Sequence, residues 1–151
     1  VLRELNRHLT NDAHVHRFVT MFLARFNPAN SMLEYCAAGH QSLILKPNGE
    51  IEIIGPTGPP LGVMQDGLDC TVEKLPFEKG SILVELTDGI LEVKNQEGEM
   101  FGNDHVIELL KQHSHHTSQE LVDLIINTAL DFSNEPVPID DMTVVVLKHT
   151  K

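Results

Sequence analysis

The sequence lacks the features of a membrane protein and of a nucleic-acid binder. No apolar run approaches the roughly 18 residues that suggest a membrane span, and the N-terminal segment lacks the charged-then-apolar order of a signal peptide. Basic residues are scarce, with 11 Lys and Arg against 22 Asp and Glu and a net charge of −11. Nucleic acids and anionic lipids are bound largely through Lys and Arg, so this charge disfavours both. We therefore expect a cytoplasmic protein without a membrane span or a nucleic-acid partner.

Cysteine is also scarce, and it does not occur in a metal-binding pattern. Cys36 and Cys70 form no Cys-x-x-Cys pair, and no histidine is spaced from either like a zinc ligand. We expect two reduced thiols in or near the core. His113, His115 and His116 cluster beside Ser and Thr residues, where the local sequence supplies no carboxylate or thiol partner. An exposed loop between two helices is the expectation for that cluster.

The apolar pattern predicts an α+β fold in one domain spanning residues 1–151. Apolar spacing predicts helices over 1–9, over 103–113 with an Asn-Asp cap, and from Thr117 onward with Glu120 in a capping role. The glycine- and proline-rich segment 55–67 is predicted to be an ordered loop. Antiparallel strands are predicted over 17–26 (a central strand covered on both faces), 32–38, 42–46, 50–54, 70–75, 82–86 and 142–147.

Carboxylates stand at the ends of two predicted strands. Asp88-Gly89 follows strand 82–86, with Glu92 four residues after Asp88, and Asp140-Asp141 directly precedes strand 142–147. Asp-Gly after a strand is common turn chemistry, and adjacent acids also occur in solvated loops. A bound Mg²⁺ or Mn²⁺ would account for two neighbouring like charges, because hard cations take carboxylate oxygens. Both interpretations stay open at this point.

A third segment with polar chemistry ends strand 32–38. Gly39-His40 follows Ala38 there, and a hairpin with one polar residue would account for it equally well. Loops at strand ends can gather such residues into one site on a rigid scaffold. The three segments together are more specific than any one of them.

The order of five short motifs resembles the metal-dependent serine/threonine phosphatases of the protein phosphatase 2C-like (PPM) class. The resemblance is to the bacterial branch that includes the stage II sporulation phosphatase and the sigma-B regulatory phosphatases. It extends from Val1 to about Leu147. The motifs are A-G-H at 38–40, G-P-P-L-G at 58–62, T-D-G-I-x-E at 87–92, F-G at 101–102 and D-D-x-T-V-V-V at 140–146.

The resemblance implies both a fold and a set of site residues. It implies an α/β/β/α sandwich of two antiparallel sheets flanked by helices. Asp88 and Asp140 are similar to the carboxylates with which family members hold Mn²⁺ or Mg²⁺. By the same resemblance, Asp141, Glu92 and Gly89 occupy neighbouring or auxiliary positions, and Gly39 and His40 lie near the same end.

The implied reaction is hydrolysis of phosphoserine or phosphothreonine by a metal-activated water, with two ions in the complete domain and no protein nucleophile. The implied partner is a phosphorylated regulatory protein such as an anti-sigma-factor antagonist. An upstream sensor or receiver domain in the same polypeptide is also implied. Exposed sheet edges would favour a dimer.

One departure from the family pattern leaves an alternative open. The remaining metal ligands of the family, two further aspartates, lie on strands that would precede Val1. We therefore expect a domain that lacks its first strands, and a chain that by itself has little activity and binds metal weakly. The alternative is a degenerate phosphatase-like module that binds a regulatory partner without catalysis.

Overall fold

The computed structural model describes residues 1–11, 18–65, 68–133 and 140–150. They form two compact units, Val1–Gln41 with Ile53–Glu78 and Ser42–Glu52 with Lys79–Lys151. The single domain expected over 1–151 stays a prediction. The elements in chain order are α1 (Leu2–Asn11), β1 (Met21–Asn27), β2 (Met32–Ala38), β3 (Ser42–Leu45), β4 (Ile51–Ile54), β5 (Glu73–Pro76), β6 (Ile82–Leu86), α2 (Asp88–Leu91), α3 (Gly102–His113), α4 (Ser118–Ser133) and β7 (Val144–Lys148).

The first unit contains a three-stranded antiparallel sheet in the order β1-β2-β5. The loop predicted over 55–67 is ordered in its described part, up to residue 65. Its Leu61 is fully buried and exchanges two backbone hydrogen bonds with Val19, of 2.8 and 2.9 Å. The side chain of Asn6 on α1 also holds this loop, accepting from the Gly62 amide at 2.8 Å and donating to the Met64 carbonyl at 2.9 Å.

The first predicted strand is not a central strand covered on both faces. Among the described residues, β1 pairs only with β2, and it begins at Met21. Leu23 is 43% exposed, and Phe18 before the strand is 66% exposed; Arg17 lies outside the described residues. Apolar residues on both alternating faces show what a strand could bury, but they do not show whether another element covers it.

The structure joins Cys36 and Cys70 by a disulfide, so the expectation of two reduced thiols is wrong. Cys36 lies on β2, and Cys70 follows the loop that returns to this strand, which leaves their Cα atoms 6.4 Å apart. That separation is within the range that a disulfide spans. The hydroxyl of Thr57 lies 3.2 Å from the Cys70 sulfur. A sequence separation alone could not reveal this long-range approach.

The second unit contains a four-stranded antiparallel sheet in the order β4-β3-β6-β7. The inner strand β6 is almost wholly buried, as its continuous apolar run predicts. The apolar stripes of α3 and α4 pack with this strand in one core. Its fully buried members include Ile82, Val84, Ile90, Phe101, Val106, Leu110, Leu121, Ile125 and Ala129.

The starts of the two long helices test the predicted caps. At α4, the Glu120 amide donates to the Thr117 hydroxyl at 3.2 Å and the Thr117 amide donates to the Glu120 carboxylate at 2.7 Å, which confirms the capping role. The Asn-Asp cap predicted for α3 is wrong. That helix begins at Gly102, and Phe101 before it offers no side-chain cap.

The elements confirm the α+β class, with two antiparallel sheets accompanied by helices. The last strand begins at Val144 rather than at 142, and β5 begins at Glu73 rather than at 70. A four-residue helix, α2, follows β6, and none of the helices predicted from apolar spacing covers it. Within the described residues, none of the helices is both long and apolar enough to cross a bilayer.

Candidate functional site

The first carboxylate segment forms a tight corner after β6. Asp88 is the exposed first residue of α2, directly after the N-cap residue Thr87. The Gly89 amide donates to the Asp88 carboxylate at 3.0 Å, and the amide of Glu92 closes the short helix on the Asp88 carbonyl at 2.8 Å. A carboxylate in the first turn is favoured by the free amide groups of a helix start. The corner therefore holds the Asp88 backbone in place and leaves its side chain open to solvent.

The second carboxylate segment leads into β7 at the same end of the sheet. The register pairs Leu86 with Val144, so the residues after β6 and those before β7 are neighbours. Asp140 and Asp141 are both exposed, and the Asp141 amide donates to the Asp140 carboxylate at 2.8 Å. Antiparallel pairing thus brings together two acidic segments that lie about fifty residues apart in sequence.

Thr87 joins the two segments directly. Its hydroxyl donates to the Asp141 carbonyl at 3.1 Å and accepts from the Thr143 amide at 2.9 Å. Its own amide donates to the Thr143 carbonyl at 3.1 Å, which extends the ladder between β6 and β7 past the strand ends. Sequence reasoning did not single out Thr87 by itself. The signal available in the sequence was a threonine directly after strand 82–86, at the start of the T-D-G-I-x-E motif.

Gly89 explains why the two segments can lie so close. A Cβ atom added at this buried glycine would stand 2.3 Å from the Asp141 carbonyl oxygen and 2.9 Å from the Asp141 carbonyl carbon. Both are backbone atoms, which cannot rotate away as a side chain can. The Asp140-Asp141 backbone therefore occupies the space that any side chain at position 89 would take.

The carboxylates after β6 and before β7 fit a hard divalent cation only in part. Asp88, Asp140 and Asp141 supply the carboxylate oxygens that Mn²⁺ and Mg²⁺ prefer, and all three are exposed. In the part of the chain that the structure describes, however, no three His, Cys, Asp or Glu side chains converge as a metal-binding group. The ligand types are suitable, but their number falls short of about six oxygens per ion.

Gly39 and His40 belong to the first unit, directly after β2. Gly39 has a φ of +67°, and a Cβ there would stand 2.4 Å from the Cγ atom of Pro60. Its amide donates to the Gly58 carbonyl at 2.9 Å, which ties the A-G-H segment to the G-P-P-L-G loop. His40 is half-buried. That these two residues lie near the carboxylates stays a prediction.

The histidine cluster lies where α3 ends and the connection to α4 begins, but it is not wholly the exposed loop that the sequence predicts. His113 ends α3, and the rings of His113, His115 and His116 have centroids 4.5 to 6.3 Å apart. His115 is exposed, whereas His113 and His116 are half-buried. Within the described residues, these imidazoles do not form a metal-binding group either.

Comparisons with known proteins agree with the fold and with the family that the sequence resembles. A family model described as stage II sporulation protein E (SpoIIE) matches residues 1–150. The chain is 28% identical over 151 residues to phosphoserine phosphatase RsbU of Bacillus subtilis, covering 99% of this chain and 44% of RsbU. It is 27% identical over 146 residues to protein IcfG of Synechocystis sp., covering 92% of this chain and 23% of IcfG. The chain therefore spans less than half the length of both relatives.

A solved structure has the same fold. The SiaA-PP2C domain of Pseudomonas aeruginosa superposes with a TM-score of 0.83 at 18% identity, over 97% of this chain and 58% of that one. At that identity the likeness establishes the fold alone, and it confirms the PP2C-type arrangement that the motifs implied. Because the family model matches nearly the whole sequence, this chain belongs to the SpoIIE family and has the fold of PP2C-type phosphatase domains.

Proposed function

We propose that this chain is the larger part of a metal-dependent phosphatase domain that hydrolyses phosphoserine or phosphothreonine on a regulatory protein. The close approach of Gly89 to the Asp141 carbonyl supports this proposal most directly. An ordinary turn needs no such contact, whereas a site shared by two strand ends needs both segments at a fixed spacing. The hydrogen bonds of Thr87 serve the same purpose.

Asp88 and Asp140 are the proposed metal ligands, with Asp141 and Glu92 in auxiliary positions. Bound Mn²⁺ or Mg²⁺ would neutralise the phosphate and lower the pKa of the attacking water. Asp88 and Asp140 would hold the ions, and no residue of the chain is proposed as a nucleophile. Two ions are proposed for the complete domain. Among solved structures of this fold, one SpoIIE phosphatase domain was presoaked with Mn and RsbX was solved with magnesium.

The proposed substrate is a phosphorylated regulatory protein such as an anti-sigma-factor antagonist, in the cytoplasm. RsbU is named a phosphoserine phosphatase, and 99% of this chain aligns with part of it. Both sequence relatives are more than twice as long as the aligned region. We extend the proposal to an upstream sensor or receiver domain in the same polypeptide, and to a dimer.

The experiment is hydrolysis of p-nitrophenyl phosphate and of a phosphoserine peptide by the full-length encoded protein. Activity should require added Mn²⁺ or Mg²⁺ and fall at least about a hundredfold in Asp88→Asn, because a neutral amide is a much weaker ligand for a hard cation. Asp131→Asn is the matched control, since Asp131 is an exposed acid on α4. Metal-independent turnover, or full activity of Asp88→Asn, would refute the assignment.

A partner-binding module without catalysis is the second candidate. Within the described residues no complete metal-binding group forms, and that observation favours it. The encoded sequence upstream of Val1 separates the two candidates. A Gly-Asp pair on a strand and a second aspartate there would support the enzyme. Their absence, together with no metal-dependent turnover by the full-length protein, would refute the enzyme and favour the module.

A further inference from the structure

The second unit contains a pocket that concentrates the scarce positive charge of this chain. The chain has seven lysines against 22 acidic residues, and four of those lysines line one cavity of about 610 Å³. Pockets for small molecules commonly have volumes of roughly 300–1,000 Å³. The four lysines are Lys46, Lys79, Lys111 and Lys148.

The four lysines come from four separate elements that meet at one end of the sheet. Lys46 follows β3, Lys79 precedes β6, Lys111 lies in the last turn of α3 and Lys148 ends β7. The register pairs Ile82 with Lys148 at this end and Leu86 with Val144 at the other. The pocket is therefore at the end of the sheet opposite to Asp88 and Asp140.

Backbone hydrogen bonds fix the walls of the pocket. The Lys46 amide donates to the Glu50 carbonyl at 2.8 Å and the Gly49 amide donates to the Lys46 carbonyl at 2.9 Å, which closes the hairpin turn. The Gly80 amide donates to the His149 carbonyl at 2.8 Å, which holds the turn that carries Lys79. The cavity thus exists before a ligand binds, which lowers the entropy cost of binding.

Two of the lysines already have partners. The ammonium group of Lys148 donates to the Ser114 and His116 carbonyls beyond the end of α3. It offsets the negative end of the helix dipole, which would otherwise repel an anion. Lys46 lies 3.0 Å from Glu52 and 3.5 Å from Glu50. These carboxylates raise the pKa of Lys46, chiefly through the hydrogen bond to Glu52, so its charge is retained but shared.

Lys79 and Lys111 supply the uncompensated charge. Both are exposed, and none of the ion pairs seen among the described residues involves either lysine. Ammonium groups are effective phosphate binders because they act as point charges with three donors. Leu45 and Pro47 add apolar surface to the same wall, against which the carbon skeleton of a ligand can lie.

We propose that this pocket binds a small organic anion with two or more linked phosphate groups, such as a nucleoside diphosphate or triphosphate. Two free ammonium groups and the shared charge of Lys46 match the several negative charges of linked phosphates. A concave, partly open pocket of this volume suits a small molecule better than an acidic protein segment, which would need a larger and flatter surface. The proposal is independent of the phosphatase assignment at the opposite end.

The test is calorimetric titration of this chain with ATP, pyrophosphate and inorganic phosphate, each in EDTA so that no divalent cation bridges ligand and carboxylates. We expect one site, tighter for ATP and pyrophosphate than for phosphate, and weakened by added salt. Lys79→Gln with Lys111→Gln should reduce the affinity at least about tenfold, since one lost charge-assisted contact is worth about that factor. Lys94→Gln is the control, an exposed lysine of the same unit outside the pocket.

Three outcomes would overturn the proposal. The first is no binding of ATP or pyrophosphate at millimolar concentration. The second is an affinity that the double variant and Lys94→Gln change equally, because binding would then reflect general charge. The third is tighter binding of an oligoglutamate peptide that the double variant abolishes, which would assign the pocket to an acidic protein partner. Thermal unfolding of each variant checks that it is folded, and these exposed lysines are not part of the core.

Discussion

Replacing Gly89 with alanine tests whether the spacing of the two acidic segments depends on backbone contact. In an unstrained helix this change would stabilise by about 0.5–1 kcal/mol. Here the new Cβ would stand 2.3 Å from the Asp141 carbonyl oxygen, roughly 1 Å inside an ordinary contact, and no side chain can move to relieve it. Overpacking of a filled site costs about 1–3 kcal/mol. We therefore expect a net destabilisation of up to about 2 kcal/mol, or a displacement of residues 140–141.

Urea unfolding and thermal melting of this chain would measure the effect, with each kcal/mol lowering Tm by roughly 2–4 °C at this size. Gly55→Ala is the matched control, because a Cβ at Gly55 meets nothing within 4 Å. In the full-length protein, Gly89→Ala should also reduce metal-dependent phosphatase activity while Gly55→Ala leaves it unchanged. A Gly89→Ala protein with wild-type stability and wild-type activity would refute the role we assign to the contact.

Three further predictions concern the α4 cap and metal binding. Thr117→Ala should destabilise by about 1 kcal/mol in urea unfolding, because it removes the hydroxyl that caps the helix. The Thr117 amide and hydroxyl lower the pKa of Glu120, so the cap contributes stability above the ordinary glutamate pKa and loses it as the pH falls through the lowered value. Glu120→Gln should therefore flatten the acid side of the stability profile, and an unchanged profile would contradict this. Calorimetry of this chain alone should show weak Mn²⁺ binding, and two tightly bound ions would contradict that expectation.

Much of the fold could be predicted because it follows from local apolar patterns. Strand 32–38 was predicted with the bounds of β2, strand 82–86 with those of β6, and the Thr117-Glu120 cap was foreseen from its spacing. The errors have long-range causes. Whether β1 is covered depends on other elements, and whether Cys36 meets Cys70 depends on the path of the intervening loop. Neither cause is visible in a window of neighbouring residues.

The candidate site was harder to predict from the sequence than the fold. Asp-Gly at 88–89 is compatible with an ordinary turn or with a metal site, and the sequence alone does not distinguish the two. The structure adds the contact between position 89 and the Asp141 carbonyl, together with the two hydrogen bonds of Thr87. Both features arise because β6 and β7 pair antiparallel, which brings together residues more than fifty positions apart in sequence. A glycine in a close backbone approach resembles any other glycine in the sequence until its neighbours are known.

The antiparallel pairing of β6 with β7 also separates two kinds of charge. The carboxylates of Asp88 and Asp140 lie at one end of these strands, and the ammonium groups of Lys79 and Lys148 lie at the other. Five paired residues at about 3.4 Å each place the two ends about 15 Å apart, which exceeds the Debye length of about 8 Å at physiological ionic strength. Charges at one end are therefore largely screened from the other. The proposed cation-binding end and the proposed anion-binding end can therefore coexist in this acidic chain without neutralising each other, although its net charge of −11 would suggest cations alone.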